Sequence, residues 1–255
     1  MKIQGSVVLI TGGASGIGEC MARHYLDKGA IVYICDMQEA KGLKIQTETI
    51  SKIKFIKCDI TNEENVKEMI EIIKQEQGRI DVVINSAGIV WAELIASDKH
   101  THTKDSFEKV FKVNTYGSFL VSKHAAKLMC EKAQADRECN GVIILISSLA
   151  GIEGQKGQTA YAASKGALIG MVLPMARDLG KFKIRVNVIA PGMVDTPMTE
   201  NFSKTNVGKM IMNATPLKTF GKPIHISSTS EYIIENDFVN GTVIRVDGGV
   251  RFPHY

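Results

Sequence analysis

Ser6-Val7-Val8-Leu9-Ile10 runs directly into Thr11-Gly12-Gly13-Ala14-Ser15-Gly16-Ile17-Gly18, and a helical pattern follows to Lys28. A short, nearly continuous apolar run reads as a strand covered on both faces. The glycines after it, Gly12, Gly16 and Gly18, fall where the chain must turn from strand to helix. Glycine permits a tight turn and a close approach of backbone to a ligand, while a helix N-terminus offers free N–H groups and partial positive charge. In this strand–turn–helix context the pattern reads as a pyrophosphate cradle for a dinucleotide; a tight turn with no ligand is the plain alternative.

Six further segments repeat the apolar signature: 30–35, 54–58, 80–84, 142–146, 184–188 and 242–246. Helical stretches separate several of them, at 16–28, at 63–77 after a Thr61-Asn62 cap, at 105–132 and at 159–179. Seven strands alternating with helices predict a Rossmann-type α/β fold, a doubly wound parallel seven-stranded sheet with helices on both faces. At 255 residues with no internal repeat or low-complexity linker, the whole of 1–255 reads as one domain. Two polar stretches interrupt the alternation, 91–104 and 199–223. Both leave strands at the carboxyl edge, where open α/β sheets bind ligands, so they are candidate substrate loops as well as ordinary surface loops.

Composition narrows the function classes. The net charge of +4 comes from scattered Lys and Arg, with no basic stripe of the kind that binds nucleic acid. Five cysteines, an odd number with no CxxC pair, argue against a disulfide framework or zinc site and for free thiols; no metal is expected. No apolar run approaches the roughly 18 residues of a membrane span. The apolar run at the N-terminus is too short for a signal-peptide core, and no Arg-rich transit peptide precedes the first strand.

The second strand ends at Asp36. An acid there can accept hydrogen bonds from the adenosine ribose, and it repels the 2′-phosphate of NADP. Met37 and Gln38 supply no cation to reverse that, so the expected cofactor is NAD. The alternative is a simple strand-end cap. Asp59, after the third strand, is placed to meet the adenine amino group. Asn85-Ser86-Ala87-Gly88 ends the fourth strand, where Gly88 allows close approach to a cofactor.

Tyr161 and Lys165 are four residues apart in a helical segment and share a face. An ammonium beside a phenol stabilises the phenolate, lowering its pKa from about 10 and enabling proton exchange with an alcohol or ketone. Such a pair on its own is usually just two surface residues. Here Ser148 follows the fifth strand at the same sheet edge, where its hydroxyl can hold a substrate oxygen. Asn114 reads as a buried amide needing partners.

Taken together, TGGASGIG at 11–18, NSAG at 85–88, Asn114, Ser148, YAASK at 161–165 and Pro191-Gly192 resemble the classical short-chain dehydrogenase/reductases over almost the whole chain. A narrower set is similar to the type-2 3-hydroxyacyl-CoA dehydrogenases, which also act as hydroxysteroid dehydrogenases. It comprises Thr101-His102-Thr103, the stretch from Gly154 to Gln158, 170–179, 189–192 and 234–249. Ser147-Ser148 departs from that subfamily, which has Thr-Ala-Ser there.

The resemblance implies a catalytic tetrad. Tyr161 exchanges the proton, Lys165 lowers its pKa and binds the nicotinamide ribose, Ser148 orients the reacting oxygen, and Asn114 holds a relay water. The implied cofactor contacts are Gly12, Ser15, Gly16, Ile17, Gly18, Asp36, Asp59, Ile60, Asn85, Ala87, Gly88, Pro191, Gly192, Val194 and Thr196, with Tyr161 and Lys165. It further implies NAD, an acyl-CoA or steroid-like secondary alcohol, a homotetramer and a mitochondrial location, with the cytoplasm as the alternative. Two other roles stay open. One is a 3-oxoacyl reductase, against which Asp36 argues because such enzymes usually prefer NADPH. The other is a subunit of a tRNA-processing complex, which would not need the tetrad.

Overall fold

The computed structural model describes residues 1–200 and 202–251, without the side chain of Ser203. Asn201, within the 199–223 stretch, and the end of the domain beyond 251 lie outside the described residues. Seven strands, β1 Val7–Thr11, β2 Ile31–Asp36, β3 Ile53–Lys57, β4 Val82–Asn85, β5 Gly141–Ile146, β6 Ile184–Pro191 and β7 Val243–Val246, form one sheet in the order β3-β2-β1-β4-β5-β6-β7. Every pairing is parallel. The order reverses between β1 and β4, and this switch point opens a crevice at the carboxyl ends of the strands.

Alternation along β1 explains the unbroken apolar run that opens the sequence. Val7 and Leu9 face one core, and Val8 and Ile10 face the other. The first core is closed by α3 Glu63–Gln77, α5 Ser118–Glu131 and α6 Thr159–Leu179. The second is closed by α1 Gly16–Asp27, α2 Glu39–Glu48 and α8 Pro223–Glu235. The expected helix 63–77 forms with those bounds. Asn62 caps it, its Oδ1 accepting from the N–H groups of Glu64 and Asn65. Helix α6 likewise forms as expected and carries Pro174 in its interior.

The expected single helix 105–132 is instead interrupted. Helix α4 Lys104–Phe111 passes into a π-helical turn, Lys112–Gly117, before α5 begins. Asn114 lies in that wider turn, where π-turns often mark functional sites. The expected loop 199–223 also contains a helix, α7 Asn206–Ala214, capped by Thr205 Oγ1. Arg185, buried on β6, donates to the carbonyls of Ile233 and Ile234 in the last turn of α8 and to that of Val239 beyond it. A cation there complements the helix dipole and fixes α8 beside α1. Among the described residues no helix is long and apolar enough to cross a membrane.

Candidate active site

One cavity of about 1080 Å³ follows the crevice from the ends of β2 and β3 to α7. That is at the upper end of the range for one drug-sized ligand, so there is room for a dinucleotide and a second molecule together. Its walls include Gly12, Ser15, Gly16, Ile17, Gly18, Asp36, Asp59 and Ile60, then Ala87, Gly88, Ser148, Tyr161 and Lys165, then Pro191, Gly192, Val194 and Thr196. All the expected site residues are there except two. Asn85 is packed behind the wall, its Nδ2 donating to Ser122 Oγ on α5, while Ser86 lines the cavity. Asn114 is fully buried, and its neighbour Val113 takes the lining position.

The glycines divide the work differently from the sequence expectation. A Cβ on Gly18 would lie 2.2 Å from the Gly12 carbonyl oxygen, so this residue is small to let α1 pack on its own loop. Gly16 has φ +56°, and its Cβ position meets nothing nearer than Thr196 at 3.5 Å across the cavity. Gly16 is therefore the point of open approach for a ligand. The Ser15 side chain makes no capping bond, which leaves the first-turn N–H groups of α1 to whatever occupies the cavity.

Asp36 is half-buried and held at the rim. Its Oδ2 accepts from Ala14 N–H at 3.2 Å and its Oδ1 from Gln38 N–H at 2.9 Å. It is thus a cap as well as a wall residue; each oxygen keeps lone-pair capacity for a ligand hydroxyl. Asp59 is tied in the same manner, accepting from Thr61 N–H at 2.9 Å. Among the described residues the cations lining the cavity are Lys156 and Lys165, and neither stands on the β1–β3 elements that carry these two acids. The uncapped α1 terminus, the open Gly16 and the unopposed Asp36 together suit a nicotinamide dinucleotide.

Around the first turns of α6 the chain is tightly cross-linked. Ser147 Oγ donates to the Lys165 carbonyl at 2.7 Å, and Thr115 Oγ1 to that of Ser164 at 3.0 Å. Lys165 Nζ donates to the Ile146 carbonyl at 2.8 Å and stands 5.9 Å from the centre of the Tyr161 ring. Burial lowers the Lys165 pKa to about 8. Burial also raises that of Tyr161, opposed in part by a hydrogen bond with Ser148. Spacing alone predicts a lowering of the phenol pKa; burial moves it the other way, and the Lys165 ammonium is engaged by the Ile146 carbonyl.

Asn114 is held from both sides. Its Oδ1 accepts from Ile89 N–H at 2.8 Å, and its Nδ2 donates to the Ile89 carbonyl at 2.9 Å and to Ser164 Oγ at 3.0 Å. Both amide hydrogens are spent, so the side chain clamps the segment after β4 to α6. The Ser148 Oγ accepts from Ala150 N–H at 3.1 Å and is also hydrogen-bonded to the Tyr161 hydroxyl, so the two hydroxyls stand together on the cavity wall.

Residues 12–251 match a family described as enoyl-(acyl carrier protein) reductase, within the short-chain dehydrogenases. The chain belongs to the short-chain dehydrogenase/reductase family. It is 38% identical over 254 residues to the 3-hydroxyacyl-CoA dehydrogenase type-2 of Bos taurus, covering 98% of this chain and 97% of that one. It is 35% identical over 261 residues to the 3-oxoacyl-[acyl-carrier-protein] reductase of Thermotoga maritima, covering 98% and 99%. A crystal structure of 3-hydroxyacyl-CoA dehydrogenase type-2 from Mycobacterium avium superposes with a TM-score of 0.91 at 31% identity, covering 98% and 97%. This short-chain dehydrogenase is an oxidoreductase acting on CH–OH groups with a nicotinamide cofactor. Sequence reasoning missed Met193 and Met198, which also line the cavity, while Phe202 on the same wall falls within the expected 199–223 loop. The only signal for the two methionines was position, just after a strand end.

Proposed function

We propose that this dehydrogenase uses NAD to interconvert a 3-hydroxyacyl thioester, with CoA as its carrier, and the 3-oxo form. The observation that carries the reading is one continuous cavity holding Asp36 at one part and Tyr161 with Ser148 at another. Asp36 supports NAD over NADP through its charge, with no cation on the same elements to accept a 2′-phosphate. The acyl substrate is supported by the relatives' names and by apolar walls at Leu94, Val207, Met210 and Ile211. The 3-oxoacyl reductase of Thermotoga maritima keeps the reverse, reductive direction in view.

When bound, the nicotinamide supplies or accepts the hydride. The chain's own residues manage the oxygen and its proton. The Ser148 hydroxyl, paired with that of Tyr161, is placed to turn its O–H to the substrate oxygen. Tyr161, kept protonated by burial, is set to donate a proton to a ketone oxygen, and it takes one back from an alcohol in the reverse direction. Lys165, with a pKa near 8, is close enough to share the charge change. Asn114 fixes the positions of Ile89 and Ser164 on either side.

A homotetramer belongs to the same proposal. Phe107, Tyr116 and Phe119 expose much of their rings along α4 to α5, Tyr232 and Phe238 do so near β7, and β7 is an open sheet edge. Two such faces suit two kinds of subunit contact.

NADH oxidation with acetoacetyl-CoA tests the function, with NADPH and Tyr161→Phe in parallel. Turnover is expected with NADH, falling about 10²- to 10⁴-fold in the variant while NADH binding persists. Near-normal turnover in Tyr161→Phe overturns the mechanism, and a preference for NADPH overturns the role of Asp36.

A further inference from the structure

Lys156 is the one cation lining the cavity that the chemistry above does not use. It sits exposed in the segment between Glu153 and Tyr161, and among the described residues its ammonium makes no hydrogen bond or ion pair. The segment that carries it is locked by its own amides. Gln158 Oε1 accepts from Gln155 N–H at 3.0 Å, and Gln155 Nε2 donates to the Glu153 carbonyl at 2.9 Å. The Gly157 carbonyl accepts from Glu93 N–H at 2.8 Å, tying this segment to the insertion after β4.

The acids nearby in sequence or contact are already satisfied. Glu153 pairs with Arg245 at 2.7 Å. Glu93 accepts from Trp91 Nε1, Thr103 Oγ1 and Ser106 Oγ. A fixed loop thus presents an unpaired ammonium on a cavity whose walls at Leu94, Val207, Met210 and Ile211 are apolar. This is the arrangement for a ligand whose chain enters and whose anion stays outside.

We propose that Lys156 is a specificity residue that binds a phosphate on the pantetheine carrier of the substrate thioester. The proposal rests on the thioester reading above and deepens it. The shared chemistry is a phosphate, and two sources carry it. One is the 4′-phosphate common to CoA and the carrier-protein arm, and the other is the distal nucleotide of CoA. An exposed cation on a flexible stem acts mainly on binding, so it sets KM and leaves kcat alone.

The test compares acetoacetyl-pantetheine, acetoacetyl-4′-phosphopantetheine and acetoacetyl-CoA as substrates for the full chain and for Lys156→Gln, with saturating NADH. The wild type is expected to prefer the phosphorylated thioesters, the preference weakening with added salt. In Lys156→Gln the KM for acetoacetyl-CoA is expected to rise about three- to tenfold with kcat retained. The KM for acetoacetyl-pantetheine is expected to move less than about twofold. A rise already complete with 4′-phosphopantetheine locates the contact at the first phosphate, and one seen only with CoA locates it at the nucleotide. An equal change for all three substrates, or no change for any, overturns the proposal. A wild type that turns over none of the thioesters, yet reduces another ketone with NADH, overturns the substrate reading itself and the proposal with it.

Discussion

The two parts of the cavity are built by different means. At the β1–β3 part the two acids are fastened to backbone a few positions from a strand end: Asp36 to Ala14 and Gln38, Asp59 to Thr61. At the outer part the walls come from inserted chain, and side chains hold them. Glu93 gathers Trp91, Thr103 and Ser106, and Thr199 Oγ1 ties itself to Val194 and Thr196. A strand end holds its side chains wherever the sheet is, whereas an inserted segment holds them only while its tethers are made. The first part is therefore expected to be rigid and general, and the second adjustable and specific.

The largest effect is expected at the seam between the parts, at Lys165. Its ordinary pKa of 10.5 falls to about 8 in the fold through burial. Between those values the unfolded chain binds the proton and the folded one does not, so this group's contribution to stability rises as pH rises from 8 to 10.5. Below pH 8 the cost of burying the charge is complete, about 3 kcal/mol from that pKa difference. Lys165→Met removes the charge and also strands the Ile146 carbonyl, which offsets about 1 kcal/mol. The cofactor-free variant is therefore expected to be more stable than the wild type at pH 7 by about 1–2 kcal/mol, with the gap closing towards pH 10. Urea unfolding of both proteins at several pH values measures this, and parallel stability curves would show that Lys165 is not held in a desolvated site.

Next in size is the change confined to the β1–β3 part. Asp36→Ala is expected to relax discrimination against NADPH by about five- to tenfold, because a like charge no longer meets the 2′-phosphate. KM for the ketone should stay put. If NADH and NADPH keep their ratio, Asp36 is a strand-end cap and nothing more; if the ketone KM moves equally, the two parts are not separable.

The same division decides how much could be read from sequence. Strand ends were legible because period and position suffice: residues 7–10 alternate between two cores, and Asp36 follows from where β2 stops. Helix α3 was legible because Asn62 marks its start and a strong apolar stripe its body. Helix α8 was not. Its Ile-His-Ile-Ser-Ser-Thr-Ser run is poor in helix formers, and it folds as a helix because Ile226, Ile233 and Ile234 pack against the second core and Arg185 closes its end. The π-turn at Asn114 was hidden for a similar reason, since its Ile89 and Ser164 partners lie far off in the chain. The phenol's raised pKa was missed because four-residue spacing reports a shared face, while burial sets the sign.

The smallest effect should fall on the outer part alone. Glu93 receives an indole N–H at 3.1 Å and hydroxyls at 3.0 and 2.8 Å, and these bonds hold its carboxyl pKa down to about 2. A depressed carboxyl contributes its stabilisation above its ordinary pKa of 4.5 and loses it as pH falls towards 2, so across pH 5–8 the tether stays charged and constant. All three donors meet the same oxygen, Oε2, so Glu93→Gln can set its carbonyl oxygen there and keep the three bonds, each now neutral. The Glu93 backbone bond to Gly157 survives, so the segment bearing Lys156 shifts little. The expected result is a rise of about two- to fivefold in the KM of the thioester, since neutral bonds are about half as strong as charge-assisted ones, with NADH affinity unchanged. Equal losses for NADH and thioester would mean that the insertion and the strand ends act as one rigid unit, and the contrast between a general part and an adjustable one would fail.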